Sequence, residues 1–315
     1  MSLWSQYILA HSIEEALQAL ESAPGPACPV AGGTDLLLEL QQGHHSPIHT
    51  LVDITQIPEL NRLELSGFPG PSPEPGSEIS LAPRDWEHSL FIGAAVPVRR
   101  IVLSPLVKEH ALCVCEACEL IGGPQVRSAA TLGGNVAHAL PAADGMIALC
   151  AMGAQAEIAS AQGRRLEPVL RLFKGPGKSA LQLDREILVG FYLPVRQPMQ
   201  ASAFDRIMRP QGVALPILNT AVWLEREDET IRDVRIIIGP SGPVPQRAVE
   251  LERALIGARF TRDAAASAAR LVETSLHFRT SAYRASAEYR YKVGEVLLED
   301  VLNTAWNRAE AMVKI

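Results

Sequence analysis

Short apolar runs alternate with amphipathic stretches at the start of the chain. One apolar run at 28–31 ends in two glycines, residues 35–42 have helical spacing, and a second apolar run follows at 48–53. Strands joined by a helix in this order are typical of a βαβ unit. Ahead of them, Ser12 followed three residues later by Glu15 is a capping box, which predicts the start of a short amphipathic helix.

The pattern changes along the chain, from mixed strands and helices to strands followed by helices. The middle of the chain predicts strands at 90–95, 154–160 and 186–193, and helices at 98–103, 109–121 and 144–152. The last part predicts strands at 203–208, 220–225 and 234–239, then helices at 247–256, 262–276 and 283–311. Strands first and helices later indicate a separate α+β domain with a one-sided sheet. The proline- and glycine-rich stretch 67–76 predicts an exposed loop.

Composition narrows the class of protein. The 315 residues are 47% hydrophobic and 20% charged, which is enough for more than one domain with its own core. A net charge of −6 without a basic stripe argues against a nucleic-acid partner. No apolar run reaches membrane-spanning length, and the N-terminus lacks a secretory pattern. Five cysteines, an odd count, do not indicate a disulfide framework, so we expect a cytoplasmic protein.

Two glycine pairs, about one hundred residues apart, carry the strongest chemical signal. The first lies in Ala-Gly-Gly-Thr-Asp at 31–35 and the second in Thr-Leu-Gly-Gly-Asn at 131–135. Glycine permits positive φ and leaves the backbone N–H groups open to an anion, and the adjacent polar side chains add hydrogen bonds. Two such turns folded against each other would suit a diphosphate, and therefore a dinucleotide. A single turn of this kind is more often structural, but the pair with similar flanking residues favours a phosphate site.

The other candidate motifs are weaker. The stretch 175–179 only resembles the end of a phosphate loop, because its first glycine is missing and Pro176 removes an N–H group. The spacing of Cys113, Cys115 and Cys118 invites an iron–sulfur or zinc site. These three positions point in different directions on a helix, so we favour small buried residues instead. The histidines near 44–49 lack further ligands at metal-binding spacing.

Three residues beside the second glycine pair have two interpretations each. His138 would border a ligand or cap a helix, and Arg127 would support a phosphate turn or form a structural ion pair, which we favour slightly. Asp144 would be a helix N-cap or an acceptor for ribose or ribitol hydroxyls. Because the chain shows little acid–base machinery of its own, we expect a bound redox cofactor to carry any reaction.

Taken in order, these motifs resemble the flavin-binding subunit of the molybdenum hydroxylases, the family of xanthine dehydrogenase and carbon monoxide dehydrogenase. The resemblance runs over nearly the whole chain, and its two glycine motifs together are specific. The matching stretches are 31–36, 123–127, 131–135, 141–144, 173–178, 186–188 and 283–290. The Gly-Pro-Gly-Lys sequence within 173–178 points to the bacterial xanthine dehydrogenase-type branch.

The resemblance implies an α+β architecture. Two subdomains, expected at 1–60 and 61–195, would form an FAD-binding fold of the vanillyl-alcohol-oxidase (PCMH) type, and residues 200–315 would form a C-terminal α+β domain with an antiparallel sheet. Both glycine turns would bind the FAD diphosphate. The residues that the resemblance places at the cofactor are Val30, Ala31, Gly32, Gly33, Thr34, Asp35, Leu36, Ile121, Gly122, Thr131, Gly134, Asn135, Asp144, Leu188 and Arg206. It assigns no catalytic residue and no metal ligand to this chain.

Two departures from the family pattern bear on these assignments. Family members often carry a lysine after the aromatic residue of the strand that enters the third domain, whereas here Phe204 is followed by Asp205 and Arg206. Arg206 is therefore the expected cation, if one is present. One branch, the hydroxybenzoyl-coenzyme A reductases, carries an extra iron–sulfur cluster on an inserted loop. This chain has no such insertion, so we do not expect its cysteines to reproduce that cluster.

The implied function is electron transfer within a hetero-oligomer. Substrate would be hydroxylated at a molybdopterin cofactor in a large subunit, and electrons would pass through 2Fe-2S clusters of a small subunit to the FAD of this chain and then to NAD or another acceptor. Two alternatives stay open from the sequence: a self-contained flavin oxidoreductase of the same fold, and a scaffold that has lost FAD.

Overall fold

The N-terminal part of the chain forms a three-stranded parallel sheet. A computed structural model describes residues 3–70, 86–209, 215–242, 244–281 and 284–311. The sheet has the order β1-β3-β2 with both pairings parallel, which confirms the predicted βαβ unit. Its elements are β1 (Gln6–Leu9), α1 (Ile13–Glu21), β2 (Ala27–Val30), α2 (Leu36–Gln42) and β3 (Thr50–Asp53).

Helix α1 begins where its capping residues predict. The Ser12 hydroxyl accepts a hydrogen bond from the Glu15 N–H at 3.1 Å, which satisfies one of the unpaired donors of the first turn. The Glu15 carboxylate accepts from the N–H of His11 at 2.7 Å. Ile13, Ala16 and other apolar residues of the helix face the core beneath the sheet.

The central part is built on a five-stranded antiparallel sheet of order β4-β5-β10-β6-β7. Its middle strand β10 is buried at all nine residues, which explains why its sequence is a continuous apolar run rather than an alternation. The strands are β4 (Leu63–Gly67), β5 (His88–Gly93), β6 (Gln155–Ser160), β7 (Gly163–Pro168) and β10 (Glu186–Pro194), with a small hairpin of β8 (Phe173–Gly175) and β9 (Lys178–Ser179).

Six short helices connect β5 to β6, and all but α6 bury residues in one large hydrophobic core shared with the sheet. They are α3 (Val98–Leu103), α4 (Pro105–His110), α5 (Leu112–Glu119), α6 (Pro124–Ala129), α7 (Leu132–Ala137) and α8 (Asp144–Ala151). The prediction of one helix over 109–121 was wrong, because the backbone at Ala111 (φ −144°, ψ 54°) separates α4 from α5. The missed signal was Ser104 followed by Pro105, an N-cap with proline at the first helical position.

The last part is a four-stranded antiparallel sheet of order β11-β12-β13-β14. Its own helices cover one face, as predicted for an α+β unit, whereas α5 and α8 of the central part pack on the other face. The strands are β11 (Gln200–Met208), β12 (Pro216–Glu227), β13 (Thr230–Gly239) and β14 (Gln246–Arg247). The helices are α9 (Val249–Leu255), α10 (Arg262–Arg270), α11 (Val272–Ser275) and α12 (Ala287–Ala311). The predicted helix over 262–276 is divided at Leu271, and Tyr283 and residues 71–76 of the proline-rich loop lie outside the described residues.

Helix α5 joins the last sheet to the centre of the molecule. Glu116 accepts a hydrogen bond from the Phe204 N–H at 2.9 Å and pairs with Arg308 of α12 at 2.5 Å. The N–H of Cys113 donates to the Ser202 hydroxyl at 3.2 Å. These contacts hold β11, and therefore Arg206, beside the central helices.

Candidate functional site

A single large cavity gathers the residues that the sequence singled out. It has a volume of about 1260 Å³ and is lined by strand, helix and loop residues from all three parts of the chain. Ligand pockets usually measure roughly 300–1,000 Å³, so the space suffices for a ligand of dinucleotide size. All fifteen predicted cofactor residues line this cavity.

The first glycine pair forms a turn between β2 and α2. Gly33 has φ +64°, a conformation that favours glycine. A Cβ atom on Gly32 would lie 2.1 Å from the carbonyl oxygen of Ala129, so the turn packs backbone to backbone against the segment that leads to the second pair. Among the described residues, the backbone N–H groups at positions 32–35 have no acceptor. The turn therefore offers unpaired donors to the cavity.

The sequence predicted an open turn at the second glycine pair. In the structure, this pair instead belongs to the first turn of helix α7. Thr131 is the N-cap, and its hydroxyl accepts from the Gly134 N–H at 3.0 Å. The Gly133 N–H donates to the carbonyl of Ala94 at 3.0 Å, and a Cβ atom on Gly133 would lie 2.5 Å from that oxygen. Gly133 is thus required for close packing, and two of the N–H groups at this end have partners within the protein.

Asn135 and Asp144 connect the second motif to the last sheet. The Asn135 side-chain oxygen accepts from the Met146 N–H at 3.3 Å. Asp144 is the first residue of α8 and follows the cap position, so the N-cap interpretation was wrong. Its carboxylate instead accepts from the Asn219 side-chain amide at 2.7 Å and pairs with Arg206. Burial raises the pKa of Asp144 to about 6, and the positive charge of Arg206 opposes this rise.

Arg206 occupies the position where a cation was expected. Its side chain is 5% exposed and binds both Asp144 and the carbonyl of Leu120, the latter at 2.7 Å. Its Nε–H is buried and has no acceptor among the described residues. The guanidinium therefore joins the last sheet to the cavity wall and keeps one donor unused.

Two further residues that the sequence singled out bear on the wall: Leu188 lines it, and Arg127 holds two of its lining residues from outside the lining. Arg127 donates to the carbonyls of Ile121 (3.2 Å) and Gly122 (2.7 Å), where Gly122 has φ +50°. The favoured ion pair for Arg127 was wrong, since among the described residues it binds only these carbonyls. Leu188 lies in β10 next to a register shift of the strand and is 7% exposed.

Polar residues beyond the fifteen also line the cavity, among them His138, which the sequence predicted either to border a ligand or to cap a helix. His138 lies with its Nε2 atom 3.1 Å from the carboxylate of Glu39, so it connects α7 to α2. The hairpin β8-β9 contributes Lys178, and the stretch before α12 contributes further arginines. Lys178 belongs to a motif of the resemblance, which was a usable signal, whereas no sequence pattern indicated Glu39.

The cysteines are free and buried. Burial raises the pKa of Cys28 to about 11 and those of Cys113 and Cys150 to about 12, so the thiols stay protonated. In the described ranges no group of three or more potential ligands is arranged to hold a metal ion. No helix in those ranges is long and apolar enough to cross a membrane.

Comparison with known families agrees with this geometry. The model of the FAD-binding domain in molybdopterin dehydrogenase matches residues 3–68 and 77–196, and that of the CO dehydrogenase flavoprotein C-terminal domain matches residues 202–305. The chain belongs to this family. It is an FAD-binding subunit of the xanthine dehydrogenase and CO dehydrogenase type. The expected fold class is thereby confirmed, and a scaffold without FAD-binding motifs is disfavoured.

Relatives in this flavoprotein family match over almost their whole length. The nicotine 6-hydroxylase medium subunit of Paenarthrobacter nicotinovorans is 30% identical over 96% of this chain and 98% of its own. The xanthine dehydrogenase FAD-binding subunit of Escherichia coli is 27% identical over 96% of both chains. A solved structure of carbon monoxide dehydrogenase from Hydrogenophaga pseudoflava superimposes with a TM-score of 0.83 at 27% identity, covering 96% of this chain and 98% of that one.

Proposed function

We propose that this flavoprotein subunit holds FAD in the described cavity and relays electrons from 2Fe-2S clusters of a partner subunit to NAD or another acceptor. The observation that carries the proposal is the convergence of fifteen residues from distant parts of the chain on one cavity. A cytoplasmic location stays a prediction from the sequence.

The first glycine turn supports binding of the FAD diphosphate. Its N–H groups have no acceptor among the described residues and border the cavity, so they are available to bind an anion there. Residues 32–35 would bind the diphosphate, together with Thr131 and Asn135 of the adjacent second motif, which line the same cavity. FAD, when bound, supplies the electron-accepting and electron-donating chemistry that the protein side chains lack.

Arg206 and Leu188 would shape the part of the site that holds the flavin ring system. Leu188 supplies an apolar wall, and Arg206 supplies a positive charge at the cavity. Asp144, which accepts a hydrogen bond from the Asn219 amide, pairs with the guanidinium of Arg206, so this charge is held in place before the cofactor binds.

The names of the relatives support the proposed partner subunits. Several relatives are named medium chains or FAD-binding subunits, which implies that other chains complete the enzyme. We propose an iron–sulfur small subunit and a molybdopterin-binding large subunit as those chains. We also keep the division into 1–60, 61–195 and 200–315 as a proposal for the domains.

The test combines a spectrum, a pull-down and an activity assay. The purified chain should release FAD on denaturation, and the native complex should carry molybdenum and iron on separate chains. Turnover of the complex with NAD and with an artificial dye would identify the acceptor. Hydroxylation or another complete turnover by the isolated chain would contradict the proposal and favour a self-contained flavin oxidoreductase.

A further inference from the structure

Three hydrogen bonds join helix α5 and its C-terminal cap to strand β11. They pair residues of one helix face with every second residue of the strand: Cys113 with Ser202 at 3.2 Å, Glu116 with Phe204 at 2.9 Å and Leu120 with Arg206 at 2.7 Å. Residues three and four apart lie on one face of a helix, and alternate residues lie on one side of a strand. The helix and the strand therefore fit each other in a fixed register that ends at Arg206.

Strand β11 depends on these contacts because it is the edge of its sheet. Strand β12 pairs with it on one side only, and α5 supplies hydrogen bonds on the other side. The pairing with β12 changes register between Ile207 and Met208, immediately beyond Arg206. A strand is held less regularly by its neighbour at such an irregularity. The contacts on the outer side of β11 therefore contribute to where Arg206 lies.

Glu116 provides the middle contact of the three with a half-buried carboxylate. One of its oxygens accepts from the Phe204 N–H, and a charged acceptor of this kind makes a stronger hydrogen bond than a neutral one. The other oxygen pairs with Arg308 of α12 at 2.5 Å, and Arg308 also donates to the Ser202 carbonyl at 2.9 Å. Glu116 is absent from the described residues that line the cavity. Any effect of Glu116 on a bound ligand must therefore pass through β11.

We propose that Glu116 is a positioning residue for the cofactor: its hydrogen bond to the Phe204 N–H fixes β11 and thereby sets where the charge of Arg206 lies at the cavity. The inference rests on the proposed function, because it assumes that FAD fills this cavity. Reduction delivers electrons to the cofactor, so a cation held close to it makes reduction more favourable. Release of β11 from α5 should therefore lower the reduction potential of the bound flavin.

The test measures the reduction potential of the full chain loaded with FAD, by equilibration with a reference dye, and its stability by urea unfolding. Glu116→Ala removes the acceptor and should lower the potential, in the same direction as Arg206→Gln and by a smaller amount. Because Glu116 acts through Arg206, the double variant should have the potential of Arg206→Gln alone. Glu119→Ala removes an exposed carboxylate of the same helix and is the matched control, with the potential of the wild type.

A conservative variant separates the two contacts of Glu116. Glu116→Gln keeps an oxygen that can accept from the Phe204 N–H but loses the ion pair with Arg308. It should therefore keep the potential of the wild type while its urea midpoint falls. If the alanine variant does not fold, Glu116→Asp takes its place, because its shorter side chain withdraws the acceptor from β11, and it should lower the potential as well.

The outcomes separate the inference from the proposed function. A lower urea midpoint with an unchanged potential in Glu116→Ala, or in Glu116→Asp where that variant replaces it, would show a merely structural role and overturn the inference. A shift that persists in the Arg206→Gln background would also overturn it, as would a Glu116→Gln variant that shifts as far as the alanine variant. A wild-type chain that cannot be loaded with FAD would instead contradict the proposed function itself.

Discussion

Replacing Gly32 by alanine tests the close approach of the two glycine motifs. The added Cβ atom would lie 2.1 Å from the Ala129 carbonyl oxygen and 2.9 Å from the Cα atom of Ala130. Both neighbours are backbone, so no side-chain rotation relieves the contact. An ordinary contact begins near 3.4 Å, and the turn must therefore move by about 1.3 Å.

Overpacking of this kind costs about 1–3 kcal/mol. If the displaced turn carries the diphosphate donors, the same free energy appears as a loss of FAD affinity of about 5- to 150-fold. The assay is titration of the apoprotein with FAD, with flavin fluorescence as the readout. Urea unfolding of the same variant shows how much of the cost falls on the fold instead.

Gly67→Ala is the matched control for this measurement. A Cβ atom there would lie 3.9 Å from its nearest neighbour among the described residues, the carbonyl oxygen of Glu87, which is an ordinary contact distance. This variant should bind FAD like the wild type. An FAD affinity of Gly32→Ala within about twofold of the wild type would refute the argument that the packed turn positions the diphosphate donors.

Three further predictions follow from the site and the core. Thr131→Val removes the N-cap hydroxyl of α7 and should cost about 0.5–2 kcal/mol of unfolding free energy, measured by urea denaturation; an unchanged midpoint would contradict the role of the cap. The raised pKa of Asp144, about 6, predicts a stabilising contribution that is full below its ordinary pKa of 3.8 and is lost as the pH rises through 6. The wild type should therefore gain stability relative to Asp144→Asn between about pH 7 and about pH 5, and the opposite trend in denaturation would argue against it. Phe91→Ala empties a fully buried site in β5 and should cost about 3–5 kcal/mol, whereas Tyr289→Ala on an exposed face should cost far less in the same melt.

The local elements of this flavoprotein subunit were largely readable from the sequence. The capping box at Ser12 and Glu15, the apolar run of β10 and the two glycine pairs all depend on residues close together in the chain. Backbone conformation and side-chain periodicity are local properties, so they leave a pattern in one sequence. The break at Ala111 was missed because periodicity continues across it.

The tertiary structure alone decided which distant groups meet. Asp144 and Arg206 are far apart in the chain, and no spacing rule relates them. Packing of α8 against the last sheet, β11-β12-β13-β14, brings them together as a buried ion pair. The sequence indicated that Gly32 was needed, but the reason, contact with the backbone at Ala129, exists only in the fold. The contact of Glu116 with the edge of β11 likewise depends on the packing of the whole chain rather than on its neighbours in sequence.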